Sequence, residues 1–217
     1  MRQAGRLRLP FTTGLLVGIG ETEAERIEAL EVIARAASDW GHVQEVILQP
    51  HSLGSAQKLR PDRSAGEPYG GVLFGDEAAR ALPGLARAAR EMLPDGVTIQ
   101  VPPNLVLQGA VYDAHADGHA VGGHGWDLLL RCLQEGASDL GGISPKDEVN
   151  PDYRFPLTQV LAKGLASEGY SLQPRLPVYP RHVSWLSDRV RSVLQGWQPA
   201  QSCEVTSLAA VAAVGSL

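Results

Sequence analysis

The sequence predicts an α/β fold of about four β-α units with parallel strands, half of an eightfold TIM-type (β/α)8 barrel, followed by a C-terminal extension. Three observations predict it. Short apolar runs alternate with helix-periodic segments four times along the 217 residues, a rhythm that calls for parallel strands joined by crossovers. The first run ends in a glycine-rich turn, Gly18-Ile19-Gly20-Glu21, that leads directly into a helix. Every later run also ends in polar turn-formers, and in parallel β/α folds that end is where ligands bind. A closed eight-stranded barrel takes about 250 residues, so four units make half of one. A small open sheet is the competing architecture.

The elements follow in order. Residues 13–19 are apolar and partly β-branched, as a strand covered on both faces requires. Thr22 and Glu25 have the T-x-x-E spacing of a capping box, so a helix starts there. Ile27, Leu30, Ile33 and Ala37 continue it at helical spacing, and Gly41 stands at its C′ position. Residues 43–49 form the second strand. A second helix is expected over 76–92, with Leu82, Leu85 and Ala89 inward. Pro83 interrupts it at a cost of about 3 kcal/mol if truly internal, which moves its real start toward the proline. Residues 97–101 are the third strand and 126–134 the third helix, stopped at Gly136. Residues 139–143 are a short fourth strand and 156–167 the fourth helix, ended by Gly169. An extended stretch over 172–178 and a last helix over 183–194 complete the chain. The barrel portion thus covers residues 4–196. Within it, 108–125 reads as an inserted Gly/His-rich loop and 60–75 as a surface loop, while the tail 198–217 lacks an amphipathic pattern and reads as disordered.

Composition excludes several functions. The net charge is −5 with no basic run, which leaves no nucleic-acid footprint. No apolar stretch approaches the ~20 residues needed to cross a bilayer, and no signal peptide is visible. A cytoplasmic protein without membrane or nucleic-acid partners is expected. The two cysteines, Cys132 and Cys203, are too far apart in sequence to suggest a metal motif.

Candidate functional residues sit at the strand ends. Gly18 and Gly20 permit a tight turn that brings backbone close to a ligand, but the segment is neither G-x-G-x-x-G nor a P-loop. Glu21 fits a helix N-terminus with or without a ligand. Gln49 and His51 follow the second strand, Asn104 the third and Ser144 the fourth. Gln100 lies opposite in phase to Val97, Ile99 and Val101, so it points into the barrel, where it needs either a protein partner or a substrate. His115, His119 and His124 fall in the glycine-rich insertion, which favours a solvated loop over a metal site. Asp147, Glu148, Asn150 and Asp152 read as a solvated cluster around an Asx turn.

The segment PFTTGLLVGIGET (10–22) resembles the fifth-strand region of radical S-adenosylmethionine (SAM) enzymes, and most closely that of FO synthases, which make the chromophore 7,8-didemethyl-8-hydroxy-5-deazariboflavin. HVQEVILQ (42–49), IQVPPNL (99–105), DLGGISP (139–145), VNP (149–151) and RLPVYP (175–180) extend the resemblance in order over about residues 4–190. The Phe-Thr-Thr-Gly form is similar to the ring-closing subunit. The resemblance implies the C-terminal half of a radical SAM barrel. It implies a 4Fe-4S cluster on three cysteines of a CxxxCxxC motif and a 5′-deoxyadenosyl radical made from SAM. That radical acts on a tyrosine–diaminouracil adduct, whose cyclisation releases ammonia. By the same resemblance Gly18, Ile19, Gly20 and Glu21 contact SAM, and Gln49, His51, Gln100, Asn104 and Ser144 face the substrate.

The chain departs from the family in one decisive respect: it has no CxxxCxxC. No catalytic residue or metal ligand is therefore assigned to it. The expectation is a radical SAM lyase component inactive alone, working with an N-terminal half-barrel supplied separately and alongside the tyrosine-coupling subunit. The alternative is a non-catalytic barrel remnant that self-associates through open strand edges.

Overall fold

The computed structural model describes residues 1–52, 76–107, 111–112, 121–143, 158–194 and 202–207. Ser144, His115, His119, the acidic cluster at 147–152 and the loop at 60–75 lie outside the described residues. A short helix α1 (Arg2–Arg6) precedes strand β1 (Phe11–Val17). Helix α2 (Glu23–Trp40) starts on the expected capping box: Glu25 N–H donates to Thr22 Oγ1 at 3.2 Å, and Thr22 N–H donates to Glu25 Oε2 at 2.7 Å. It ends at Gly41, whose φ of 60° is left-handed and whose N–H returns to the Ala37 carbonyl. Strand β2 (Val43–Pro50) follows.

The helix expected over 76–92 is two helices, α3 (Asp76–Ala79) and α4 (Leu82–Met92). Pro83 decides the break, because it lacks an N–H and its ring would strike the carbonyl four residues back; it sits in the first turn of α4 instead. Arg90 then ties the end of α4 to the next strand, donating to the carbonyls of Leu93, Pro94 and Val97. Strand β3 (Thr98–Gln100), the one-turn helix α5 (Pro103–Val106), strands β4 (Val111–Tyr112) and β5 (Val121–Gly122), and helix α6 (His124–Gln134) come next. The last of these starts two residues before Trp126, after Gly123 at φ 96°. β4 and β5 pair antiparallel, so the base of the expected loop carries a small ladder. Strand β6 (Asp139–Gly142), helix α7 (Thr158–Ser167) and strand β7 (Tyr170–Arg175) follow.

The last expected helix is also divided, into a 3-10 helix (Pro180–Trp185) and α8 (Asp188–Leu194). Leu186 between them is extended, and Ser187 accepts from the backbone N–H of Val190 and Arg191 to start α8 afresh. Of the tail expected to be disordered over 198–217, residues 202–207 are described, and they are not disordered. Residues Ser202–Ser207 form β8, paired antiparallel with both β6 and β7. Six residues cannot show an amphipathic period on their own, whereas two strand edges template them.

The sheet order is β1-β2-β3-β6-β8-β7, and β1, β2, β3 and β6 are parallel. Leu30, Ile33 and Ala37 of α2, Leu82, Leu85 and Ala89 of α4, and Leu129 and Cys132 of α6 join Val46, Leu48, Ile99 and Leu140 of the sheet in one core. On the other face of β1, Thr12, Gly14 and Leu16 are exposed. A four-stranded parallel sheet covered by helices on one face is compatible with part of a TIM-type barrel whose interior lies on the open side.

Candidate functional site

Pairing register lines up three rows of residues on that open face. Thr12, Glu45 and Thr98 form the lowest row. Gly14, Ile47, Gln100 and Asp139 form the next, and Leu16 with Gln49 the uppermost. Such rows are the layers that fill a barrel interior. Gly14, Leu15, Leu16, Ile47 and Gln49 line a cavity of about 330 Å³. Gly14 has no room for a side chain, since a Cβ there would strike the Ile47 carbonyl.

At the upper end the glycine turn is organised by Glu21. Its Oε1 accepts from Gly18 N–H at 2.7 Å and its Oε2 from Ile19 N–H at 2.7 Å. Arg26 Nε donates to Oε1 at 2.6 Å. Partial burial alone would raise the Glu21 pKa, but the backbone donors and the Arg26 charge outweigh it and hold the carboxyl below its ordinary range. Gly18 (φ 101°) and Gly20 (φ 108°) both hold left-handed backbone, where a side chain would be strained. This refines the sequence reading of residues 18–21. The carboxylate of Glu21 occupies the amides of Gly18 and Ile19, so what the turn offers a ligand is its backbone surface and the Ile19 side chain, 53% exposed.

The other expected positions are placed as follows. Gln49 lines the cavity, one strand over from Leu16. His51 N–H extends the β1–β2 ladder to the Val17 carbonyl at 2.7 Å, leaving its half-buried ring at the strand end. Asn104 is buried in α5. The Gln100 amide lies over Gly141, filling the space a Cβ at 141 would occupy.

Sequence reasoning missed a second polar group, at the opposite end of the sheet. Arg175 of β7 reaches Glu45 with Nη2 at 2.6 Å, and Asp139 with Nε and with Nη2, the latter at 2.9 Å. Tyr179 Oη donates to Asp139 Oδ2 at 2.8 Å and approaches Glu45 Oε1 at 3.2 Å. The Arg175 guanidinium stacks over the Tyr179 ring at 4.3 Å. Burial, then the neighbouring Asp139 charge, push the Glu45 pKa up against the pull of Arg175. Burial and the two carboxylates also push the Tyr179 hydroxyl up, so it stays protonated as a donor. The register shift between Phe11 and Thr12 leaves Gln44 as the extra residue of a bulge. Its side-chain amide donates to the Pro177 carbonyl at 3.1 Å and accepts from Tyr179 N–H at 3.2 Å. The available signal was Gln44-Glu45 standing inside an otherwise apolar strand.

Among the described residues no three His, Cys, Asp or Glu side chains group to hold an ion. Cys132 is buried in α6, and desolvation pushes its thiol up to about 12, the opposite of what a thiolate ligand needs. The cysteines of this chain do not fit an iron–sulfur cluster. Among the described residues no helix is long and apolar enough to cross a membrane.

The relatives that match this chain share one name. The chain is 41% identical over 195 residues to the 7,8-didemethyl-8-hydroxy-5-deazariboflavin synthase of Trichodesmium erythraeum, covering 90% of this chain and 52% of that protein. The synthase of the same name from Synechococcus elongatus is 44% identical over 197 residues, 91% of this chain and 50% of its own length. That of Gloeobacter violaceus is 46% identical over 204 residues, 93% and 52% respectively. The chain therefore spans about half the length of the curated relatives it matches. No protein-family model matches it, and no solved structure does.

Proposed function

Because the chain is homologous to FO synthases over about nine-tenths of its own length, we propose that it supplies the C-terminal four β-α units of the barrel that closes the deazaflavin ring with loss of ammonia. The other units, and the cysteines for an iron–sulfur cluster, come from polypeptide outside these 217 residues. The turn at Gly18, Ile19, Gly20 and Glu21 faces SAM, whose bound role is to furnish the radical. Ile19 and Leu16, both exposed, give an apolar surface for an adenine, and the Glu21 hydrogen bonds keep the turn in one shape. Gln49, His51, Gln100 and Asn104 face the tyrosine–diaminouracil adduct, which the tyrosine-coupling subunit provides; Ser144, outside the described residues, is added to them on the sequence resemblance alone.

The observation that carries this reading is the exposed inner face of β1, the first of four parallel strands, in a chain that matches half of each synthase. An interior with exposed Thr12, Gly14 and Leu16 is what a half-barrel presents to its complement. The test is co-expression with the N-terminal half of the Gloeobacter violaceus relative. A brown complex that contains iron and sulfide and forms the deazaflavin from adduct and SAM is the expected result. A colourless or unassociated pair sinks it. The alternative, a self-associating remnant, draws on the outer edge of β1, which has no partner strand among the described residues. It predicts that the chain alone is a larger oligomer that the N-terminal half does not dissociate.

A further inference from the structure

On the far side of the sheet from the open face, the N-terminal ends of α2 and α4 border a second cavity of about 280 Å³. Glu23, Arg26 and Ile27 line one wall and Arg80, Gly84 and Leu85 the other. Arg26 spends its Nε on Glu21. Among the described residues, its Nη groups and the whole Arg80 guanidinium carry no protein partner. A planar guanidinium with unspent parallel donors is a fork for an oxyanion. Ile27, Ala81, Leu85 and Ala88 supply the apolar part of the lining between the two forks.

We infer that this cavity binds a small oxyanion, a carboxylate or phosphate, between Arg26 and Arg80, and that Arg26 relays its occupancy to the glycine turn. The acids nearby do not cancel the site. Glu21 is committed to Gly18, Ile19 and Arg26, and Glu25 to Thr22. Among the described residues that line the cavity, Glu23 is the one acid with its charge unspent, and it weakens the site by like-charge repulsion. The relay is geometric. The anion takes the Nη edge of Arg26 while Nε keeps Glu21, so a bound anion fixes the guanidinium and through Glu21 stiffens the Gly18 and Ile19 amides. This inference does not depend on the proposed function, because it needs neither SAM nor a complete barrel.

Gly84 supplies the test. A Cβ added there meets nothing within 4 Å, so Gly84→Glu sets a tethered carboxylate into the cavity, and an acid in the first turn of α4 favours the helix. Inorganic phosphate is titrated into the full chain at fixed ionic strength, followed by calorimetry and by amide exchange at Gly18 and Ile19. Saturable binding is expected, weakened at least tenfold by Arg80→Gln, tightened a few-fold by Glu23→Gln and abolished by Gly84→Glu. Exchange at Gly18 and Ile19 slows on phosphate addition, and is already slow in Gly84→Glu. Acetate in a parallel titration separates carboxylate from phosphate preference. Binding that survives Gly84→Glu, binding weakened by Glu23→Gln (as a zwitterion would require), or no saturable binding at all overturns the site. Faster exchange on phosphate addition overturns the relay.

Discussion

Glu45 and Arg175 lie 130 residues apart in sequence and 2.6 Å apart in space, both side chains over nine-tenths buried. Asp139 shares the same guanidinium. One cation thus joins β2, β6 and β7, and Tyr179 closes the group from the next segment. Glu45 and Asp139 sit near the N-terminal ends of β2 and β6, whereas Arg175 is the last residue of β7 and reaches back to them.

Removing the cation leaves two buried carboxylates facing each other. Arg175→Met is expected to destabilise the chain by about 3–5 kcal/mol, read by urea denaturation. The double change Arg175→Met with Glu45→Gln restores part of the loss, because one of the stranded charges is gone. A single variant within about 0.5 kcal/mol of the parent would show that the group is not structural.

His42 and His182 give a pH dependence. Both are buried, and the packing of His42 on Phe11 and of His182 on Trp185 supplies no polar partner from those rings. Burial lowers both pKa values below the ordinary 6.5; the Arg181 charge adds to the effect at His182. The unfolded chain therefore binds more protons, so stability rises with pH. Their contribution is complete above the ordinary histidine value of about 6.5 and is lost as the pH falls below it through the depressed folded values. His182→Phe should flatten the melting temperature between pH 7 and 5, and an unchanged slope would remove His182 from the account.

Glu21 shapes a turn rather than a core. Glu21→Ala is expected to cost the isolated chain only about 1 kcal/mol, since it stands in the turn before α2, outside the apolar core. In the assembled complex the same change weakens SAM binding at least tenfold, because Gly18 and Ile19 lose the acceptor that fixes them. Equilibrium dialysis with SAM, beside a thermal melt, separates the two effects. Equal affinity in the variant refutes the role.

Cys132 should be chemically silent. With its thiol held up at about 12 by burial, it reacts with a thiol reagent at pH 8 only on unfolding. Iron and sulfide reconstitution of the chain alone then yields no cluster absorbance. Fast labelling of native Cys132, or a stable cluster on the isolated chain, would contradict the structure.

Gly136→Ala tests a packing contact. Gly136 holds φ 108°, and a Cβ there would lie 2.9 Å from Arg90 Cβ and Cγ. Left-handed strain alone costs about 1–3 kcal/mol, and shifting Arg90 adds the loss of its three carbonyl contacts. Denaturation should show at least that loss, with Gly84→Ala as the control that shows none.

Local chemistry made much of this fold legible. The Thr22/Glu25 cap, the Gly41 stop and the Leu30-Ile33-Ala37 face are all short-range features, and each appears where the sequence places it. Pro83 correctly warned of a new helix start. Of the candidate positions, Gln49 and the glycine turn stand at strand ends, as periodicity required. What stayed hidden depends on contacts between distant segments. Ser202–Ser207 become a strand only because β6 and β7 offer edges. Ser187 starts α8 only after the chain has turned at Leu186.

By itself, then, the sequence determined the β-α rhythm, the helix caps, the polar strand ends and the lack of a cysteine motif, because each is set by residues within a few positions of one another. Only the tertiary structure decided that Glu21 fills the amides of its own turn. It alone brought Arg175 under Glu45 and Asp139, and left Arg26 and Arg80 facing one cavity. Those arrangements rest on where whole elements pack, and a buried charge finds its partner by position in space rather than by distance along the chain.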